Sequence, residues 1–222
     1  LLEQSGLREA FEHPASLERG PRRPDGGPTQ VRPFLGRRCD RLPADARAVF
    51  ARRLDAAGML HVASADTAEA GGLFATRKGW DAEQRHWTQR LLLDRRPRNA
   101  VEDLVGSDVL GVSMPHGSVF CELVLPADRK VLLWCTDLPN FYYACKVPRE
   151  RAESNAFTRL VSLRGMDDLK AVQEYRARLS AGEEGCADRG VLCLNSLAMG
   201  DLNATGFAQA AHRQLLRDAE AL

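Results

Sequence analysis

Hydrophobic positions along the chain fall into two kinds of pattern, and the change from one to the other divides it. Residues 13–43 are rich in Pro, Gly and Arg, with GPRRPDGGP at 20–28, and carry no apolar period, so they read as a linker or loosely packed arm. Ala46, Val49, Phe50, Leu54 and Ala57 then recur at helical spacing. Pro43 stands near the first turn and Gly58 at the end, which predicts one amphipathic helix. From residue 72 onward short β-rich runs take over, at 73–76, 90–93, 118–125, 130–135 and 191–194. Helical spacing returns at 166–181 (Met166, Leu169, Val172, Leu179, then Gly182) and at 202–219 (Leu202, Phe207, Ala210, Ala211, Leu215). This order lacks a regular βαβ rhythm and predicts an α+β fold.

Composition narrows the class without naming a chemistry. With 222 residues, 44% of them hydrophobic and 27% charged, the chain can bury a sizeable core. No apolar run approaches the roughly 18 residues of a membrane span, and the first residues lack a signal-peptide core. The expectation is an intracellular protein of cytoplasm or nucleus that does not engage a membrane. Both ends read as cut, Leu1 replacing an initiator Met and Leu222 falling inside a helical pattern, so a fragment is expected. The six cysteines form no CxxC and have no His at zinc-ligand spacing, so they read as reduced thiols. The net charge of +1 conceals asymmetry: residues 1–53 hold eleven Arg against seven acids, and residues 77–98 hold seven Lys or Arg against three. Such stripes suit a protein that meets phosphates, although most charge runs are simply solvated.

Three segments carry candidate chemistry. In GLFATRKGWDAEQRHWTQRLLLDRRPRN, residues 72–99, two strands flank a basic turn placed at Arg77-Lys78, with Arg90, Asp94, Arg96 and Asn99 closing the second strand. Cations on such a hairpin can neutralise a triphosphate, though an ordinary solvated hairpin has the same pattern. In KVLLWCTDLPNFYYACKVP, residues 130–148, an apolar run delivers Asp137 to its end, followed by Phe141, Tyr142 and Tyr143. A carboxylate so fixed can present a divalent metal to phosphate oxygens; equally, Asp137 can just cap a turn before Pro139. In VLCLNSLAMGDLNATGFAQAAHRQLL, residues 191–216, a turn at Met199-Gly200-Asp201 joins a strand to a helix. Its glycine permits close backbone approach to a ligand and the helix N-terminus favours an anion, or the whole is a routine connection.

Taken in order, R-L-L-L-D-x-R-x-x-N, D-L-x-x-F-Y and M-G-D-x-N-A-x-x-F-A-Q resemble the fingers and motifs A and B of reverse transcriptases, particularly those of retroelements. The resemblance spans residues 72 to 216. It implies right-hand polymerase fingers with a partial, ferredoxin-like palm sheet, truncated before motif C and the thumb. The implied division is an N-terminal arm and helix at 1–71, a fingers hairpin at 72–105, palm with motif A at 106–147, a fingers insertion at 148–198 and the start of the motif B helix at 199–222.

Roles carried over by the resemblance are equally specific. Asp137 matches the aspartate that binds both catalytic Mg²⁺ ions, and the carbonyl of Leu138 would help hold one. Lys78 matches the hairpin-tip lysine, with Arg77 as the competing choice, and Arg90 the arginine on the incoming triphosphate. Tyr142 matches the aromatic gate against a ribose 2′-hydroxyl. Met199 and Gly200 match the turn at the nascent base pair, and Phe207 and Gln209 the helix after it. The implied partners are an RNA or DNA template with primer and deoxynucleoside triphosphates, in RNA-directed DNA synthesis by two-metal nucleotidyl transfer. No Asp-Asp stands in a motif C context, and Asp167-Asp168 reads as first-turn acids of the 166–181 helix. One carboxylate cannot hold two ions, so little or no polymerase activity is expected of this chain alone. The alternative reading is a catalytically dead nucleic-acid-binding remnant of a mobile element. An unrelated α/β enzyme or interaction domain is the third.

Overall fold

The computed structural model describes residues 5–17, 39–65, 70–105, 121–132 and 138–219. In chain order its helices are α1 (Ser5–Glu12), α2 (Ala44–Ala56), α3 (Arg96–Asn99), α4 (Phe141–Ala144), α5 (Arg149–Ser154), α6 (Lys170–Ser180) and α7 (Ala204–Asp218). Its strands are β1 (Leu60–Ala63), β2 (Gly72–Asp81), β3 (His86–Asp94), β4 (Val161–Ser162) and β5 (Arg189–Leu194). They form two antiparallel sheets, one in the order β1-β5-β4 and the other the β2-β3 hairpin, so the fold is mixed α+β. Among the described residues no helix is long and apolar enough to cross a membrane.

The helix expected after Pro43 is α2, and its end shows why the sequence stops it there. Gly58 adopts φ +64°, and the N–H of Met59 turns back to the carbonyl of Leu54 at 2.7 Å. That reversal satisfies a carbonyl left open at the helix end and favours glycine, which meets no Cβ penalty. β1 follows at once and pairs Leu60 with Leu194 and Val62 with Leu192. It falls outside the strand candidates because Leu60–Ala63 is only four residues long and lies before the β-rich region.

β5 occupies the middle of its sheet, and Val191 to Leu194 are buried. A continuous apolar run is what a strand covered on both faces requires. α2 and α6 pack with this sheet around Leu54, Val62, Phe157, Leu163, Val172, Tyr175 and Leu192. Each large apolar side chain sealed there contributes roughly 1.5–3 kcal/mol relative to exposure. A second cluster joins Leu7 and Ala10 of α1 to Ala152, Leu197 and Phe207.

Two sequence expectations are corrected here. Residues 121–125 and 130–132, expected as strands, form none, and Leu123, Val124, Leu125, Val131 and Leu132 are exposed. An apolar run becomes a strand only by pairing its backbone, and no described strand lies alongside; residues 118–120 and 133–135 lie outside the described residues. Asp167 and Asp168 do not open α6, which begins at Lys170. Instead, Asp168 accepts Arg52 Nε at 3.1 Å and Asp167 accepts Arg176 at 2.8 Å. The open amides of Lys170 and Ala171 are taken by the Asp55 carboxylate of α2 at 2.9 and 3.0 Å. A capping group from another helix is invisible to local spacing.

Candidate functional site

The β2-β3 hairpin is longer than its sequence suggested. β2 runs through Arg77 and Lys78 to Asp81, so the turn lies at residues 82–85 and not at Arg77-Lys78. Trp80 and Trp87 face each other across the ladder and extend it, and the Asp81 carboxylate accepts the amide of Gln84 at 2.9 Å to close the turn. Lys78 is therefore mid-strand rather than at the tip. Register shifts between Arg77 and Gly79, and an extra residue in one strand re-aims neighbouring side chains. The guanidinium of Arg77 lies 4.8 Å from the centre of the Trp87 ring, whereas Lys78 lines a cleft.

That cleft, about 380 Å³, is lined by Lys78, Gln89 and Arg90 of the hairpin, residues 138–143, Met199 and His212. Asn140 adopts φ +58° and leads the chain into α4. Asn tolerates this left-handed conformation better than most residues, and it brings Tyr142 and Tyr143 round to the cleft wall. Tyr143 donates its hydroxyl to the carbonyl of Leu91 on β3 and approaches Met199 Sδ at 3.4 Å. Burial pushes the Tyr143 phenol up, while the Arg90 charge pulls it down. Tyr142 Oη lies 3.2 Å from Thr205 Oγ1 on α7, and the Phe141 ring packs edge-on against His212. Among the described residues Lys78 and Arg90 form no ion pair, and both are exposed.

Met199 is tied to the hairpin by its backbone, Leu93 N–H donating to its carbonyl at 3.1 Å. Gly200 follows with φ +114°, and its neighbour at close range is the hairpin itself. A β-carbon there would lie 2.2 Å from the Leu93 carbonyl oxygen. The close approach expected toward a ligand is thus made to the chain's own strand. Asn99 holds the turn from the other side, donating to the Gly200 carbonyl at 2.7 Å and accepting Leu202 N–H at 3.2 Å. Gly200 lines a neighbouring cleft of about 310 Å³ with Phe74, Leu92 and Asp94, and Met199 lines both.

Of the residues that the family resemblance placed at one site, Lys78, Arg90, Leu138, Tyr142 and Met199 line the first cleft, whereas Gly200 lines only the neighbouring one. Gln209, half-buried on α7, is not among its lining residues. Asp137 lies outside the described residues. The described lining of the cleft carries no carboxylate, and among the described residues no cluster of His, Cys, Asp or Glu suits a metal ion.

Behind the turn lies a buried charge network that the sequence reading missed. Glu102 accepts Arg95 at 2.7 and 2.9 Å and Arg98 at 2.7 Å. Asp201 accepts Arg151 at 3.0 Å and lies 3.4 Å from Arg95. Arg95 also donates to Asn155 at 2.8 Å and Ser154 at 2.9 Å, while Arg151 reaches the carbonyls of Ala10 and Phe11. Burial pushes the Glu102 carboxyl up, but the bonds and charges of Arg95 and Arg98 outweigh it and leave it below the usual range. The network joins the hairpin base, α5, α1 and the Gly200 turn. Five charged residues buried together had one legible trace, the dense Arg run at 95–98.

No protein family, curated protein or solved structure matches this chain. Its free cysteines among the described residues are Cys39, Cys121, Cys145, Cys186 and Cys193.

Proposed function

We propose that this chain comprises the nucleotide-binding fingers and part of the palm of a reverse-transcriptase-type, RNA-directed DNA polymerase. The observation that carries the reading is the convergence of Lys78, Arg90, Leu138, Tyr142 and Met199, from three distant segments, on one cleft. Lys78 supplies a point charge and Arg90 a fork of donors, a pair suited to the oxygens of a triphosphate. Their lack of described acidic partners leaves that capacity free. The Tyr142 ring forms a wall beside the sugar of a nucleotide so held, and Met199 borders the base. A bound Mg²⁺ would supply charge neutralisation for phosphoryl transfer. Asp137 and the Leu138 carbonyl are the residues of this chain proposed to hold it.

Calorimetric titration of the chain with a deoxynucleoside triphosphate tests the reading. Lys78→Ala and Arg90→Ala are each expected to weaken binding about tenfold, the loss of one charge-assisted contact. The unphosphorylated deoxynucleoside should bind neither parent nor variant. Triphosphate affinity unchanged in both variants refutes the proposal. The alternative, a non-catalytic nucleic-acid-binding remnant, draws on the same cation-rich hairpin and differs in predicting oligonucleotide affinity without triphosphate affinity.

A further inference from the structure

Beyond the cleft, the outer half of the hairpin carries a feature that takes no part in the proposed triphosphate binding. Trp80 and Trp87 are paired edge to face with ring centres 5.5 Å apart, yet remain 53% and 48% exposed. A cross-strand aromatic pair helps hold a hairpin together, but that role does not require half of two indoles to stay in water. Arg77 stacks over Trp87 on the same side. From Arg77 to Arg90 the ribbon holds four cations, Arg77, Lys78, Arg85 and Arg90, against two acids, Asp81 and Glu83. None of the four forms an ion pair among the described residues. Gln89 and Trp87 are two residues apart on β3 and so share a face of the ribbon, and Gln89 lines the cleft. The tryptophan platform thus begins about 7 Å outward from the cleft wall.

We infer that Trp80 and Trp87 form a stacking platform for unpaired bases of single-stranded nucleic acid, with Arg77 and its neighbouring cations on the phosphates. Exposed indole faces accept any base, and the surrounding positive charge selects a polyanion over a neutral or basic protein surface. The inference does not depend on triphosphate binding in the cleft. It is tested by titrating the full chain with a short oligothymidylate, without nucleotide or metal, following intrinsic fluorescence and anisotropy.

Stacking is expected to quench tryptophan emission. The Trp80→Ala/Trp87→Ala double variant should bind about tenfold more weakly or worse, while Trp80→Phe/Trp87→Phe, which keeps two ring faces, loses distinctly less. Circular dichroism and thermal melting of both variants show whether the hairpin persists. Three results would overturn the inference: undiminished affinity in the alanine variant, equal losses in the alanine and phenylalanine variants, or inorganic polyphosphate binding as tightly as the oligonucleotide with the same dependence on tryptophan. An absence of oligonucleotide binding by the parent overturns it too and leaves the patch to a protein partner. Each outcome is independent of the triphosphate titration.

Discussion

The Leu93 carbonyl oxygen stands 2.2 Å from where a β-carbon on residue 200 would be, so the turn and the hairpin are in backbone contact that only glycine allows. Gly200 also has φ +114°, a conformation that L side chains rarely adopt. Gly200→Ala should therefore cost more than about 2 kcal/mol, from backbone strain added to steric overlap. Urea unfolding would register it as a lower midpoint. A midpoint equal to the parent's would mean that strand and turn separate readily.

Glu102 is the shared acceptor of Arg95 and Arg98 in the buried network. Glu102→Gln leaves those guanidinium groups short of negative charge where water does not reach, a change expected to cost about 3–5 kcal/mol. Acid should mimic it. The folded carboxyl titrates below its unfolded value, so its stabilisation is complete above about pH 4.3 and is lost as pH falls through the folded value. Stability measured from pH 5 down to 2 should fall more steeply in the parent than in Glu102→Gln, and parallel curves would contradict this.

Asp55 caps a helix in which it does not reside. Replacing it with Ala frees the amides of Lys170 and Ala171 and should cost about 1 kcal/mol. Hydrogen exchange should accelerate first in the opening turn of α6. Uniform acceleration through the sheet would instead indicate a global effect.

Tyr143 fastens the cleft wall to β3 through its hydroxyl. Tyr143→Phe keeps the ring and should lose about 1 kcal/mol of stability. If the wall positions a nucleotide as proposed, triphosphate affinity falls along with it in calorimetry. Stability loss with unchanged affinity would detach this residue from the site.

Tyr142, held near Thr205, is the proposed wall beside the sugar. Tyr142→Ala should narrow the preference for deoxyribonucleotide over ribonucleotide by about fivefold or more, equivalent to about 1 kcal/mol. The ratio of the two dissociation constants measures it, and an unchanged ratio would remove Tyr142 from sugar discrimination.

Hydrophobic spacing and turn chemistry were enough to read α2 with its glycine stop, the β2-β3 hairpin, β5 and α7, because each depends on residues close in the chain. Short motifs also singled out Lys78, Arg90, Leu138, Tyr142 and Met199, which the fold brings to the lining of one cleft. Pairing was not: residues 121–125 have the composition of a strand without a described partner, while Leu60–Ala63 becomes one by lying beside β5. The reach of the hairpin was misjudged because the Trp80–Trp87 contact lengthens it past the basic residues.

The sequence by itself determined α2 with its stop at Gly58, the pairing of two strands in a β2-β3 hairpin, the buried strand β5 and the helix α7. Tertiary structure alone decided that Asp55 caps α6, that Gly200 is pressed against Leu93 and that Arg95, Arg98, Glu102, Arg151 and Asp201 share one buried network. Backbone preference acts over a few residues, whereas a buried charge is tolerated only where distant segments deliver its partner, and no local pattern encodes that meeting.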